Sequence, residues 1–238
     1  MSSKRFRGKP CAYCIVNPAT TGDHIIAREF FLPTARADLP QVPACEACNN
    51  HKSQLEHYLT ALLPFGGRHA DARDNLANQV ARRLRRNQKL ARELDIGRGR
   101  IWTFELDELQ QTMTLPIDGD RLAELFAMVG RGLALHHFGV SLQEGQISGT
   151  IFPSAEGAVF YDWVFQLSAD NRITKSLGNG TVSYTGLIAN LPLEVTMWRL
   201  HFYGGILLSE ASGPETAISS EIVVVTGPQD FVNKLREM

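Results

Sequence analysis

No stretch of this 238-residue chain approaches the roughly 18 consecutive apolar residues that cross a bilayer. The basic opening, Met1 to Pro10, has no apolar run behind it of the kind a secretory leader carries. The expectation is therefore a soluble, cytoplasmic protein with no membrane partner. Cysteine is scarce at 4 residues, which excludes a disulfide-dense scaffold. With 11 Pro and 20 Gly, and no repeat or low-complexity segment, the chain is neither collagen-like nor linker-like. What is present is ordinary globular composition, 44% hydrophobic and 21% charged.

Net charge is also small, −1, but it hides a division. Residues 1–100 hold 17 Lys and Arg against 9 Asp and Glu, whereas residues 101–238 hold 7 against 16. A basic first half beside an acidic second half suggests that the first meets a polyanion. The alternative is two domains that differ in charge and nothing more.

All four cysteines lie in the basic half as two pairs, Cys11-Ala-Tyr-Cys14 and Cys45-Glu-Ala-Cys48. A two-residue gap lets both thiolates of a pair face one point, and two such pairs supply the four sulfurs of a structural Zn²⁺. A disulfide or a redox pair is the alternative. Between the pairs runs Thr21-Gly22-Asp23-His24, and the second pair leads into Asn49-Asn50-His51-Lys52. A carboxylate that holds a hard cation, beside an imidazole that takes a proton from water, suits a metal-dependent hydrolase. Asn49, expected in the first turn of a helix, offers a neutral oxygen ligand nearby. The alternative for Asp23-His24 is a turn aspartate beside a partly buried histidine.

The pattern CAYC…TGDHII…VPACEACNNHK resembles the HNH endonuclease motif in its four-cysteine, zinc-bearing ββα-metal form, over residues 8–60. The resemblance implies that Cys11, Cys14, Cys45 and Cys48 hold a structural zinc. It makes His24 the general base, Asp23 and Asn49 the ligands of a catalytic Mg²⁺ or Mn²⁺, and Lys52 a phosphate contact. His51 is the alternative ligand to Asn49. The chain departs from the family at Gln41, where an Asn often precedes the second pair, and at Ala27, where many members have Pro.

Farther on, Leu76, Val80, Leu84, Ala91 and Leu94 share one arc at 100° per residue, which predicts one long helix over about 70–95. Arg82, Arg85, Arg86, Lys89 and Arg92 cluster opposite them, a surface suited to nucleic-acid phosphates. A merely solvated face, or docking to the acidic half, is the alternative. After Gly97 the pattern changes. One or two strands are expected over 101–117, then a helix after Asp118 that ends near Gly139. Strands are expected at 147–153, 158–168, 180–190, 195–209 and 217–226, and a short helix from Gln229. His136 and His137 read as helix-end or core residues.

The fold expected is α+β: a zinc-stapled ββα-metal module over 1–68, a basic helical connector over 69–98, and an α+β domain with a mostly antiparallel sheet over 99–238. The function expected is an HNH endonuclease acting on nucleic acid, DNA rather than RNA. A zinc-stabilised binding module without catalysis, or a nuclease effector gated by its C-terminal half, is the alternative. That half is also the expected site for a homodimer contact or a regulatory protein.

Overall fold

The computed structural model describes residues 4–105, 108–167, 172–190, 194–206, 208–209, 218–219 and 221–237. It is a mixed α+β structure. The chain first forms an antiparallel ribbon, β1 (Thr21–His24) with β2 (Gln41–Ala44), and then α1 (Glu46–Leu62). Backbone bonds from Ala12 N to Pro43 O (2.8 Å) and Thr20 N to Ala44 O (3.0 Å) lay the first cysteine pair against β2.

The long helix expected over 70–95 is broken. The segment holds α2 (Ala70–Asn75), a π-helical turn (Leu76–Val80), α3 (Ala81–Arg86) and α4 (Gln88–Gly97). Asn87 leaves helical geometry at φ −113°, ψ 76°, and its side chain accepts from Leu90 N to start α4 afresh. Asparagine competes well for such a cap, so the periodic leucines are divided between two helices. Leu90 and Leu94 of α4 pack against Ala61 and Leu62 of α1.

A hairpin follows, β3 (Gly99–Glu105) with β4 (Glu108–Thr114). Next comes α5 (Gly119–Phe138), where Asp118 accepts from Arg121 N at one end and Gly139, at φ 70°, closes the other. Both ends fall where the sequence places them. After β5 (Gln146–Ile151), residues Ala155–Leu167 form a helix, α6, and not the strand expected at 158–168. Tyr161 and Phe165 are buried while Trp163 between them is exposed, which fits a helix and not the alternation of a strand.

The remaining elements are β6 (Arg172–Leu177), β7 (Val182–Asn190), β8 (Glu194–Phe202), the two-residue strands β9 (Leu208–Ser209) and β10 (Ile218–Ser219), β11 (Ile222–Pro228) and α7 (Gln229–Arg236). Five of the strands pair antiparallel in the order β5-β11-β8-β7-β6. Alternation along β8 and β11 splits their side chains between two layers. Trp198, Leu200, Phe202 and Val224 join α5, while Val195, Met197, Val223 and Val225 join α6 and α7. With both faces covered, these strands carry few polar residues.

One hydrophobic cluster joins Cys11, Tyr13, Ile25 and Phe30 to Leu122, Phe126, Trp198 and Phe202. The boundary expected near residue 98 therefore does not separate two cores. Helix α5 is the shared wall, and two glycines let neighbours approach it from opposite sides. A Cβ at Gly130 would overlap Val224 of β11, and one at Gly132 would stand 3.0 Å from Ile25, just past β1. No helix among the described residues is long and apolar enough to cross a membrane.

Candidate metal centre and adjoining site

Cys11 and Cys14 lie in a turn that Ile15, at φ 53°, helps to close, while Cys45 caps α1 and Cys48 stands in its first turn. Their four Sγ atoms lie within 4.8 Å of one another. Zinc–sulfur bonds near 2.3 Å give a tetrahedron with S···S edges of about 3.8 Å. Cys14 Sγ and Cys45 Sγ are 3.8 Å apart, the length of such an edge, so the four thiols are close enough together to hold that ion.

Burial raises the thiols of Cys11 and Cys48 above their ordinary pKa. At Cys14 burial also opposes ionisation, but the N–H groups of Asn17 and Val16 outweigh it and draw the thiol down to about 7. A divalent cation removes this crowding conflict. Arg131 of α5 adds a cation beside the cluster and donates from Nη1 to Tyr13 O at 2.9 Å.

The adjoining site is organised around a buried ammonium. Lys52, whose side chain is 0% exposed, places Nζ 3.0 Å from Asp23 Oδ2 and also pairs with Glu56 Oε1. The same Nζ donates to the backbone carbonyl of His24 at 2.8 Å. This corrects the role expected for Lys52: its charge is consumed inside the protein, so it does not face a phosphate. Tyr13 completes the group, donating its hydroxyl to Asp23 Oδ2 at 2.6 Å. Burial, reinforced by the Asp23 charge, keeps the Tyr13 hydroxyl protonated.

Glu56 is pushed up to about 7 by burial, which outweighs the attraction of Lys52. Its proton is therefore exchanged near neutral pH.

His24 stands opposite Gln41 in the ribbon, and its Nε2 lies 2.8 Å from the Gln41 side-chain nitrogen. An amide serves either tautomer: as donor it fixes the proton on Nδ1, and turned over it accepts from Nε2–H and frees Nδ1. Burial, and then the charge of Arg28, lower the His24 pKa. The ring is neutral at neutral pH, the form that can accept a proton.

Asn49 is half-buried on α1, one turn before Lys52. His51 points to α5, with Nε2 2.7 Å from Glu124 Oε1.

No family model matches the chain, and neither the curated proteins nor the solved structures contain a match. The site therefore stands on its own geometry. Arg82, Arg85, Arg86 and Lys89 are exposed, as expected, on both sides of the break at Asn87. Sequence reasoning missed Tyr13, Glu56 and Arg131. Tyr13 was signalled by its position inside the first cysteine pair, and Glu56 by its spacing four residues after Lys52. Arg131 carried no signal.

His137 is half-buried at the end of α5, 2.9 Å from the Tyr184 hydroxyl and against the Trp198 ring. Burial, and then the neighbouring His136, hold it down at about 4. Its place in the last turn of α5 agrees with a helix-end histidine.

Proposed function

We propose that this chain is a metal-dependent endonuclease of the HNH class that hydrolyses phosphodiester bonds in nucleic acid, DNA before RNA. The observation that carries the reading is the order of elements at the cysteine cluster. A ribbon bearing Asp23 and His24 leads directly into a helix bearing Asn49, and the four thiols bracket both.

In this reading zinc shapes the module and does no chemistry. Tyr13 and Lys52 both engage Oδ2 of Asp23, so Oδ1 and the Asn49 amide are the donors left for a second cation. Hard oxygen donors that fall short of a full shell suit Mg²⁺ or Mn²⁺, which keep waters and phosphate oxygens. Once bound, such an ion offsets negative charge at the leaving oxygen. His24, held by Gln41 and neutral, takes the proton of the attacking water. The Lys52 charge beside Asp23 makes cation binding weak until a phosphate contributes its own oxygens.

That same Lys52–Asp23 pair favours a second reading, a zinc-stabilised nucleic-acid- or partner-binding module whose carboxylate is permanently neutralised. Mn²⁺ titration followed by electron paramagnetic resonance separates the two. The nuclease reading expects a site, beyond zinc, that Asp23→Asn and Asn49→Ala each weaken. Equal Mn²⁺ binding by wild type and both variants would favour the binding module.

A further inference from the structure

A cleft of about 330 Å³ opens where the loop after β1 meets the π-helical turn and α3. Arg36, Arg82, Arg83 and Arg86 line it, together with Gln79 and Glu29. Two of these guanidinium groups are held in place by neutral acceptors. Arg36 donates to Phe31 O (3.1 Å) and Gln79 Oε1 (2.8 Å). Arg83 donates to Thr60 O (2.9 Å) and Glu29 O (3.2 Å). Arg82 donates from Nε to Asn78 O at 2.9 Å, which leaves the end of its fork toward solvent.

Among the described residues, none of the four forms an ion pair with a carboxylate within 4.0 Å. The Glu29 carboxylate is the single negative group in the lining. Four cations against one anion, with two forks fixed in advance, make a site for an anion that brings several oxygens.

We infer that this cleft is a subsite for a backbone phosphate of the nucleic acid, a few nucleotides from the bond to be cut. The identity of the ligand rests on the nuclease reading. The placement rests on the chain. Glu29 follows His24 by five residues, so their Cα atoms are no more than about 17 Å apart. With a rise of about 3.4 Å per nucleotide in a duplex strand, that span covers at most about five nucleotides. The Glu29 and Arg28 charges both act on His24, and Arg28 is exposed in the chain between the two sites. α3 presents Arg82 and Arg86, one turn apart, to the cleft beside Arg36, while Arg85 and Lys89 lie outside its lining. Contacts of this kind add affinity and register, not sequence preference.

Duplex binding by the full-length, zinc-loaded chain tests the subsite. Fluorescence anisotropy of a labelled duplex is followed against NaCl concentration in a His24→Ala background, which removes cutting from the readout. Two paired variants are compared: Arg82→Ala/Arg86→Ala inside the cleft, and Arg85→Ala/Lys89→Ala outside it. All four residues are exposed, so both pairs fold. The cleft pair is expected to weaken Kd by about tenfold or more and to flatten the dependence of log K on log salt by about 1 to 2, with the outer pair changing Kd by less than about twofold. Equal losses in the two pairs, or no loss in the cleft pair, overturn the subsite. A chain that binds through Arg82 and Arg86 but never cuts would keep the subsite and sink the catalysis. A chain that cuts with the cleft pair binding normally would do the reverse.

Discussion

The Tyr13 hydroxyl donates to Asp23 Oδ2 across 2.6 Å, and it does so from between the first two cysteines. Its carbonyl is held in turn by Arg131 of α5. One residue thus links the cysteine cluster, the shared helix and the carboxylate proposed to hold a cation. Removing the hydroxyl in Tyr13→Phe leaves Oδ2 to Lys52 alone. A hydrogen bond to a charged group contributes about 1.5–3 kcal/mol, and urea unfolding is expected to show a loss in that range. Zinc content stays at wild type while plasmid nicking slows by about tenfold. Unchanged stability and rate would make the contact incidental.

Zinc removal reaches the same carboxylate from the other side. Cys45 is buried at the start of α1 and packs in the main cluster with Cys11 and Tyr13, and its thiol is one of the four gathered there. Native mass spectrometry is expected to find one zinc in the wild type and none in Cys45→Ser. The variant loses far-UV helical signal as well, because structural zinc supplies on the order of 10 kcal/mol of apparent binding energy to small modules. A zinc-free variant with full helical signal and wild-type melting would refute a structural role.

Lys52 gives a quantitative test of its corrected role. Lys52→Met leaves Asp23 and Glu56 without their common partner, and breaking a buried pair in this way costs about 3–5 kcal/mol. Adding Glu56→Gln removes one of the stranded carboxylates and recovers part of that loss, a coupling that a double-mutant cycle reads directly. A surface phosphate contact behaves differently, costing within about 0.5 kcal/mol and lowering the salt slope of duplex binding by about 1.

Glu56 also sets a pH dependence. Its carboxyl is raised from 4.5 to about 7 in the fold, chiefly by burial. The folded state therefore binds the proton more tightly than the unfolded chain does. The stability this contributes is fully present below pH 4.5 and is lost as pH rises through about 7. Chemical denaturation between these limits is expected to show a downward component in wild type that Glu56→Gln lacks. Parallel curves for the two proteins would contradict it.

Local features were legible in the sequence because local physics decides them. The cysteine spacing marked the cluster, and Asp118 and Gly139 marked both ends of α5. Features set by tertiary packing were not. Residues 155–167 are apolar on several faces, with Val159 and Trp163 exposed and Tyr161 and Phe165 buried, so no alternation or clean stripe distinguishes helix from strand. β6 is a largely exposed edge strand with little apolar signal, and it was not expected at all. Lysine is almost never fully buried, so Lys52 read as a solvent-facing cation until Asp23 and Glu56 were brought to it from different elements.

Supercoiled plasmid incubated with the purified chain and Mg²⁺, beside a metal-free reaction and the His24→Ala variant, tests the proposed chemistry most directly. Nicking or linearisation that requires both Mg²⁺ and His24, with zinc content unaltered by the substitution, is the result expected. Cleavage that persists in His24→Ala, or a folded, zinc-loaded wild type that leaves the plasmid intact, would contradict it.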